Sequence, residues 1–368
     1  MIKKVLISIG HPAQYHFFKH TIRQLQADGL EVKVVIKTKD VLESLLQADG
    51  VPYVNVQTTV RRNNKLSILT AALRRSWAVL KLALPFKPDI LLGTGADVAH
   101  TAWVMRKPCI TTLEDDVDII RHLARMTYPF TTHILVPHPC RVGQWEAKKV
   151  GYPGYMKLAY LHPNRFTPDA AVPRRYGLDT PYMLLRMVQL TAYHDEGVKG
   201  LTVSATRQVV EMAEASGLRV CISAECELPA DLKRYRLSIN PADMHHLMAG
   251  ARLLVSDSQS MSVEAAMLGV PNLRYSSFAS RISVLEELEH TYGLTCGIAA
   301  GCEARLLNEL QHLLATPALA EEFANRRARM LRDKMDVTAF LTWYVEHYPE
   351  SQRLWSEMPN HPAVPSFR

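Results

Sequence analysis

The sequence predicts an α/β protein of two doubly wound domains, each built around its own parallel sheet. Apolar, β-branched runs alternate with helical stretches from the first residues onward. The 368 residues are about twice the usual length of a single domain. A proline-rich stretch over 151–181 interrupts the alternation, which then begins again. We therefore expect one domain over 1–165, a second over 166–345 and a tail over 346–368.

The first domain opens with a strand, a helix and a second strand. An apolar run at 5–9 ends in a turn at Gly10-His11-Pro12, a helix follows over about 16–27, and the next strand spans 31–36. Further short apolar runs end in polar or glycine-rich turns, as expected of a buried parallel sheet, at 88–93, 109–113 and 133–137.

The second domain repeats this pattern. Its predicted strands are 181–188, 219–223, 237–240 and 251–256, and its predicted helices are about 200–216, 242–249 and 262–268. The remainder, 304–348, is helical and strongly charged. Open α/β sheets bind ligands at the carboxyl ends of their strands, so a cleft between two such domains is the expected site.

Composition excludes several classes of protein. Hydrophobic residues make up 48% of the chain and charged residues 21%, which is typical of a soluble globular protein and excludes a disordered one. The apolar run before Gly10 is too short for a signal peptide or a membrane span, so we expect a cytoplasmic protein. The 6 cysteines lack paired spacing and are expected to be reduced core thiols, with no zinc site.

The net charge of +7 predicts an anionic partner. Nucleic acid, a membrane surface and a phosphorylated small molecule all fit that charge. The sequence has no helix-turn-helix, zinc finger, RNP-like strand or arginine-rich tail, so we expect no nucleic-acid partner.

The sharpest motif lies at 255–271. A strand ends there in small hydroxyl residues and leads into a helix. Backbone N–H groups and the hydroxyls of Ser258, Ser260 and Ser262 are therefore expected to converge where a phosphate binds. Glu264, one to two turns into the helix, would accept hydrogen bonds from ribose hydroxyls. In the alternative interpretation, Ser260 or Ser262 only caps the helix and Glu264 lies at the surface.

A second motif is an arginine inside a predicted strand. Arg186 lies in the apolar run 181–188, and a buried guanidinium needs an anionic partner. Glu225, at the end of the next strand, would supply one, so we expect an internal ion pair.

The motif at 257–271 resembles a known nucleotide-binding segment. Its pattern D-S-x-x-x-x-x-E-A followed by L-G-x-P is similar to that of non-hydrolysing UDP-GlcNAc 2-epimerases and their GT-B glycosyltransferase relatives. Other segments resemble domain-of-unknown-function family 354, a GT-B-like group, and lie at 11–19, 160–168, 193–200, 222–225 and 239–245. The resemblance implies a GT-B-like fold in which two Rossmann-like domains face a central cleft. The nucleotide sugar would bind the second domain and the acceptor the first.

The resemblance also implies roles for single residues. In the similar epimerases a histidine and a basic residue contact the nucleotide phosphates, which implies that role for His194 and Lys199. A loop that clasps the base in GT-B transferases corresponds to the one carrying His245. Glu114 falls where the epimerases have a catalytic glutamate, but their further acidic pattern is missing and Asp97 is displaced from the expected strand end. These departures count against epimerisation.

Candidate catalytic bases follow two strands of the first domain. His11 and His16 follow the first strand, and Glu114 and Asp115 belong to an acidic run at 114–118 after a later strand. Carboxylates that lie close together repel, which raises the pKa of at least one of them toward neutrality. In the alternative interpretation, the acidic run is a solvated loop or a helix N-cap.

One helix of the first domain has two interpretations. Its large apolar residues share a face, at Leu66, Leu69, Leu73, Trp77, Leu80 and Leu84. Core packing explains such a stripe. Basic residues surround it, however, at Arg61, Arg62, Lys65, Arg74, Arg75 and Lys81. A basic helix with a tryptophan would also suit peripheral contact with an anionic membrane.

Together these features predict a metal-independent GT-B glycosyltransferase that uses a UDP-linked sugar to build cell-surface glycans or glycoconjugates. The nucleotide sugar is a substrate, no cofactor is expected, and no D-x-D metal motif lies in a suitable loop. The acceptor would be a glycan or a lipid-linked molecule, with the protein in the cytoplasm at the inner face of the membrane. A non-hydrolysing nucleotide-sugar 2-epimerase and a non-catalytic sugar-nucleotide-binding protein are the alternatives.

Overall fold

Apart from the side chains of 65–72, the computed structural model describes residues 1–38, 41–57, 65–188, 200–225 and 227–368. These residues form two compact units. The first comprises 1–165 and 334–368, and the second comprises 166–333. Each unit has a parallel sheet with interleaved helices, so the predicted class of two Rossmann-like α/β units with a helical C-terminal region is confirmed.

Seven parallel strands form the sheet within the described part of the first unit. They are β1 (Lys4–Ile9), β2 (Glu31–Lys37), β3 (Tyr53–Gln57), β4 (Ile90–Gly93), β5 (Cys109–Thr112), β6 (His133–Pro137) and β7 (Lys149–Tyr152). The helices between them are α1 (Pro12–Ala27), α2 (Leu42–Ala48), α3 (Lys65–Phe86), α4 (Ala96–Met105) and α5 (Arg121–Thr127), and α6 (Leu158–Leu161) follows the last strand. The strand order β3-β2-β1-β4-β5-β6-β7 reverses direction between β1 and β4.

The central strand shows why the sequence folds this way. Val5, Leu6 and Ile7 of β1 are completely buried, because helices cover both faces of a parallel sheet. The following helix begins four residues earlier than predicted, at Pro12. Pro12 suits the first turn because it needs no N–H acceptor there, and His11 Nδ1 accepts a hydrogen bond from the Ala13 amide at 3.2 Å.

Five parallel strands form the sheet within the described part of the second unit. They are β8 (Tyr182–Met187), β9 (Arg219–Ala224), β10 (Leu253–Ser256), β11 (Asn272–Tyr275) and β12 (Cys296–Ile298). The helices are α7 (Ala171–Arg175), α8 (Val203–Ala215), α9 (Met244–Gly250), α10 (Gln259–Leu268), α11 (Ser283–Glu286), α12 (Glu303–Ala315) and α13 (Leu319–Asp333). The order β12-β11-β10-β8-β9 reverses direction between β8 and β10.

The C-terminal segment 334–368 belongs to the first unit. It contains α14 (Val337–Glu346) and α15 (Glu350–Glu357). Thr338 Oγ1 donates to the Ala159 carbonyl oxygen at 2.6 Å, and α14 packs against α1. The predicted second domain, 166–345, included 334–345. The apolar, aromatic face of α14 instead completes the core of the first unit.

Other elements also differ from the predictions. The strand predicted at 237–240 does not form: a single bridge joins Arg236 to Ile222, and Asn240 then caps a turn that starts at Pro241. The apolar stripe of α3 is divided as well. Leu80 is buried, whereas the next large apolar residues on either side along the stripe are more than half exposed, namely Trp77 at 57% and Leu84 at 53%.

Candidate functional site

The carboxyl ends of β8 and β10 form the point where the strand order of the second unit reverses, and open α/β sheets bind ligands at such points. Ser256 at the end of β10 is paired in register with Arg186 on β8. The segment that follows β10 carries the motif at 257–271. Its geometry therefore determines what this edge of the sheet can bind.

Serine side chains build the start of α10. Ser258 is the N-cap, and its Oγ accepts a hydrogen bond from the Met261 amide at 3.3 Å. Ser256 Oγ accepts one from the Ser258 amide at 2.8 Å. The first amides of an α-helix have no acceptor within the helix, so the N–H groups of Gln259 and Ser260 lie at its positive end. Such an end is suited to an anionic group such as a phosphate.

The predicted serines differ in exposure. Ser258 and Ser260 are half-buried at the start of α10. Ser262 is completely buried, and its Oγ donates to the Ser258 carbonyl oxygen at 3.0 Å. Its hydroxyl therefore stabilises the first turn of the helix and does not face a phosphate, which corrects the prediction for this residue.

Glu264 and His245 form a buried pair between α10 and α9. They are 7% and 8% exposed, and His245 Nε2 lies 3.3 Å from Glu264 Oε1. The sequence predicted that Glu264 binds the ribose and that His245 belongs to the loop around the base, and the structure brings the two side chains into contact. The alternative in which Glu264 lies at the surface is wrong. A carboxylate held by packing and by an imidazole has a fixed orientation, as recognition of ribose hydroxyls would require.

Arg274 on β11 is a residue that sequence reasoning missed. Its side chain is completely buried, and its Nη1 donates to Oε1 of Gln259, the first residue of α10, at 3.0 Å. Its Nη2 lies 3.6 Å from Glu289 Oε2, and burial lowers the pKa of the guanidinium. The available signal was an arginine inside a short strand, the same signal that identified Arg186. Arg274 adds a fixed cation beneath the start of α10.

Asp257 connects two parts of the chain at the same edge. Its Oδ1 accepts from the Val188 amide at 2.8 Å and its Oδ2 from the Leu201 amide at 3.3 Å. Burial raises the pKa of this carboxyl to about 6, although these hydrogen bonds and the charge of Arg186 act in the opposite direction. Asp257 therefore connects the end of β8 to Leu201, which lies two residues before the start of α8. It is a positioning group at this edge.

Two predicted phosphate ligands, His194 and Lys199, lie outside the described residues. The expected internal ion pair of Arg186 is confirmed. Its Nη2 contacts Glu225 Oε1, and its Nη1 donates to Ser223 Oγ at 2.8 Å. Arg186 thus has an anionic partner, Glu225, directly after the neighbouring strand β9, and it needs no ligand to neutralise its charge.

In the first unit, Glu114 is held in a buried ion pair. It follows β5 and is 9% exposed. Its Oε1 accepts from the Met156 amide at 2.7 Å, and its Oε2 lies 2.5 Å from Lys157 Nζ. Both carboxylate oxygens are engaged, one by a backbone amide and one by an ammonium group. Glu114 ties the end of β5 to a segment more than forty residues away. The geometry favours a positioning role for it over proton transfer.

The other acidic residues have separate partners. Asp116 is completely buried, where its Oδ1 accepts from the Arg141 amide at 2.8 Å. Asp118 is exposed and pairs with Arg121 at 3.2 Å. Asp115 is half-buried. The alternative interpretation of the acidic run as a solvated loop is therefore wrong for Glu114 and Asp116, and Asp115 is the more exposed of the two predicted catalytic carboxylates.

His11 and His16 lie at the start of α1, beyond the carboxyl end of β1. The ring of His16 lies 5.2 Å from the ring of Tyr160. One strand, β4, separates β1 from β5, so the strand ends that precede the histidines and the acidic residues lie about 10 Å apart at the same edge of the sheet. Among the described residues, no group of three or more His, Cys, Asp or Glu side chains could hold a metal ion.

No protein-family model matches the chain, and no curated protein matches it. Solved structures do match. An MnaA–UDP complex from S. aureus has a TM-score of 0.69 and 12% identity, and the match covers 95% of this chain and 98% of that one. A UDP-GlcNAc 2-epimerase from Neisseria meningitidis bound to UDP-GlcNAc has a TM-score of 0.62 and 14% identity, covering 89% and 97%. The spinosyn forosaminyltransferase SpnP has a TM-score of 0.60 and 15% identity, covering 94% and 100%.

These similarities confirm the predicted relation in fold to the 2-epimerases and to a GT-B glycosyltransferase. They extend over nearly the whole chain, so both units share the relation. No family model supports the resemblance to domain-of-unknown-function family 354. At identities of 12–15% the similarity establishes the fold, and it leaves the reaction to be inferred from the site.

Proposed function

We propose that the chain is a metal-independent glycosyltransferase whose donor is a UDP-linked sugar. The observation that carries the proposal is the start of α10, where free amides and half-buried serines lie beside the buried guanidinium of Arg274. In the fixed pair, Glu264 lies on α10 and His245 lies on the neighbouring helix α9. Structures of the same fold hold UDP and UDP-GlcNAc, which supports UDP as the nucleotide.

In the proposed reaction, the bond between the sugar carbon and the diphosphate oxygen breaks, and an acceptor oxygen bonds to that carbon. The helix dipole of α10 would stabilise the negative charge that develops on the departing diphosphate, and Arg274, which is paired with Glu289, would hold Gln259 at the start of that helix. Glu264 would accept hydrogen bonds from the ribose. The acceptor hydroxyl would lose its proton to a base, for which Asp115, His11 and His16 are the candidates.

The acidic residues favour a transferase over the second candidate, a nucleotide-sugar 2-epimerase. An epimerase needs two carboxylates that flank the sugar. Glu114 is already bonded through both oxygens, and Asp116 is completely buried on the Arg141 amide. Asp115 is half-buried, and Asp118 is exposed and pairs with Arg121. A transferase needs only one base, and the loss of Glu114 to its buried ion pair leaves that requirement intact. The acceptor would be a glycan or glycoconjugate hydroxyl.

Thermal denaturation with UDP tests the nucleotide site. A ligand that binds only the folded state at a hundredfold excess over Kd stabilises it by about 2.7 kcal/mol, which raises Tm by roughly 5–10 °C. We expect Glu264→Ala to abolish this shift. Ser262→Ala is the matched control on the same helix: it should lower Tm and keep the shift, because that hydroxyl bonds only within α10 in the structure. An undiminished shift in Glu264→Ala would overturn the ribose assignment.

Product analysis tests the reaction. Incubation with UDP-sugars should release UDP only when an acceptor hydroxyl is supplied. Formation of the 2-epimer without an acceptor would identify an epimerase instead. A UDP-dependent rise in Tm without turnover on any glycan acceptor would support the non-catalytic alternative.

A further inference from the structure

Exposed apolar side chains concentrate on two helices of the first unit. Ten large hydrophobic side chains are exposed among the described residues, and five of them lie on α3 and α4, which pack against each other. Each of the five is 53–62% exposed. We call them the exposed patch: Leu73, Trp77, Leu84, Trp103 and Val104. Large apolar side chains exposed together on two packed helices are typical of an interaction site.

The exposed patch is not an unfinished part of the core. The opposite face of α3 is buried, with Val79 and Ala83 completely covered and Phe86 5% exposed. The helix therefore satisfies its core contacts and still presents Trp77 outward, where an ordinary surface helix carries polar residues. Two tryptophans more than half exposed on adjoining helices need a partner to cover them.

A groove extends the patch beside α4. It has a volume of about 740 Å³ and includes Trp103, Val104, Arg106, Lys107 and Phe130 in its walls. The rings of Trp103 and Phe130 lie 5.6 Å apart in an edge-to-face arrangement. Aromatic walls with two cations at the rim combine apolar contact with attraction for negative charge.

Exposed cations lie on or next to the two helices that carry the patch. In sequence, the segment 58–88 contains seven Lys and Arg residues and no Asp or Glu. Arg74, Lys81 and Arg106 are exposed, and Lys81 Nζ lies 5.4 Å from the centre of the Trp77 ring. Lys107 has an acidic neighbour, Asp89, at 4.0 Å. A strongly cationic rim around apolar side chains is complementary to an anionic, amphipathic surface.

We propose that the exposed patch docks the first unit on the surface of an anionic lipid bilayer. Tryptophan prefers the interface between headgroups and acyl chains, and the surrounding Lys and Arg would neutralise lipid phosphates. A second copy of the chain on the same patch would bring two cationic rims together, so charge favours lipid over self-association. No helix in the described part of the chain is long and apolar enough to cross a membrane, so the contact proposed is peripheral. The proposal uses no residue of the nucleotide site and stands independently of the proposed reaction.

Co-sedimentation with vesicles tests the proposal. The full chain should sediment with vesicles of phosphatidylcholine and phosphatidylglycerol at low salt, and much less with phosphatidylcholine alone or at high salt. Replacing Arg74, Lys81 and Arg106 by Gln should weaken partitioning about 100-fold, since each cation contributes about fivefold. The matched control replaces three exposed cations of the second unit, Arg174, Lys233 and Arg332, by Gln and should bind like the wild type.

A second pair of variants tests the apolar contact. Trp77→Ser with Trp103→Ser should reduce binding at least about tenfold, whereas Trp77→Phe with Trp103→Phe should keep most of it. Brominated lipids should quench the tryptophan emission of the wild type, and this quenching should be lost in the Phe variant. Both variants should keep the wild-type Tm shift with UDP.

Three outcomes would overturn the proposal. The first is no sedimentation with anionic vesicles at low salt. The second is sedimentation that neither salt nor any of the substitutions changes. The third is a dimer in sedimentation equilibrium that Trp77→Ser with Trp103→Ser converts to a monomer, which would assign the exposed patch to a second copy of the chain.

Discussion

At the scale of single residues, the first unit places an ion pair where the sequence suggested a reactive carboxylate. Glu114 and Lys157 side chains are about 10% exposed, and their charged atoms lie 2.5 Å apart. Sequence reasoning could identify Glu114 as an acidic residue at a strand end. It could not identify the partners, because Met156 and Lys157 lie more than forty residues further along the chain. The distinction between a base and a positioning group depends on those long-range contacts.

This pair leads to a double-mutant prediction. Lys157→Met leaves an uncompensated buried carboxylate and should lower the free energy of unfolding by about 3–5 kcal/mol. Glu114→Gln leaves a buried ammonium group and should cost a similar amount. The double variant removes both charges, so its cost should fall at least about 1 kcal/mol below the sum. Urea denaturation of the four chains measures the difference.

The exposed pair Lys4–Glu31 provides the control for this cycle. Its side chains are 41% and 59% exposed, so water screens the interaction and the corresponding cycle should show no measurable coupling. Additive costs for Glu114 and Lys157 would contradict the buried pair and would leave Glu114 available as a base.

At the scale of elements, burial decided which strands the sequence could predict. The apolar runs of β1, β4 and β10 are buried almost throughout because these strands lie inside their sheets with both faces covered. β3 and β12 lie at sheet edges, where their residues need not be apolar throughout, and they were missed. β11 was missed because Asn272 and Arg274 make up half of this short strand, Asn272–Tyr275, and Arg274 Nη1 donates to Gln259 Oε1 on α10. The helix after β10 was predicted to begin at about 262, with Ser260 or Ser262 as the alternative cap, whereas α10 begins at Gln259 and Ser258 is its N-cap.

Asp257 connects elements of the second unit, and its titration should be measurable. Burial raises the pKa of the folded-state carboxyl from 3.8 to about 6. Between these values the folded state binds more protons than the unfolded state, so this carboxyl makes the fold less stable as pH rises through that window. Asp257→Asn cannot titrate. Relative to the wild type, its free energy of unfolding should therefore rise by about 2 kcal/mol between pH 4 and pH 7.

Urea denaturation of both chains at several pH values tests this sign, with Asp89→Asn as the control. Burial alone raises the pKa of Asp89, but hydrogen bonds from the Lys3 and Lys4 amides bring it below its ordinary value. The Asp89→Asn chain should therefore lose stability relative to the wild type as pH rises through the acidic range. A flat difference between Asp257→Asn and the wild type would show that the carboxyl titrates normally.

At the scale of the whole molecule, the return of the chain to the first unit was the feature that local patterns did not reveal. The stretch 151–181 is rich in proline, and it contains Arg165, where the first part of unit 1 ends. No comparable proline-rich stretch marks the point near Lys334 where the chain returns, because one helix, α13, is followed there almost directly by another, α14. The available signal was composition: α14 is apolar and aromatic, whereas α13 is strongly charged. A helix that is apolar on most sides must be enclosed by a core.

Because 334–368 belongs to the first unit, a core substitution in that segment should lower the stability of the first unit and not of the second. Phe340 is completely buried, with its ring 4.5 Å from that of Trp355 and 5.8 Å from that of Tyr152. Phe340→Ala should cost about 3–5 kcal/mol. Native-state hydrogen exchange should show lower protection in 1–165 and 334–368, with 166–333 unchanged, because separate units open separately.

Phe323→Ala is the matched control for Phe340→Ala. Phe323 lies on α13, is 4% exposed and belongs to the second unit, so its loss should lower protection in 166–333 and spare the rest. If each variant lowers protection only in its own unit, the two units unfold independently, although α13 and α14 are neighbours in sequence. If both variants lowered protection uniformly along the chain, the two units would unfold as one cooperative body, because each would then depend on the other for its stability.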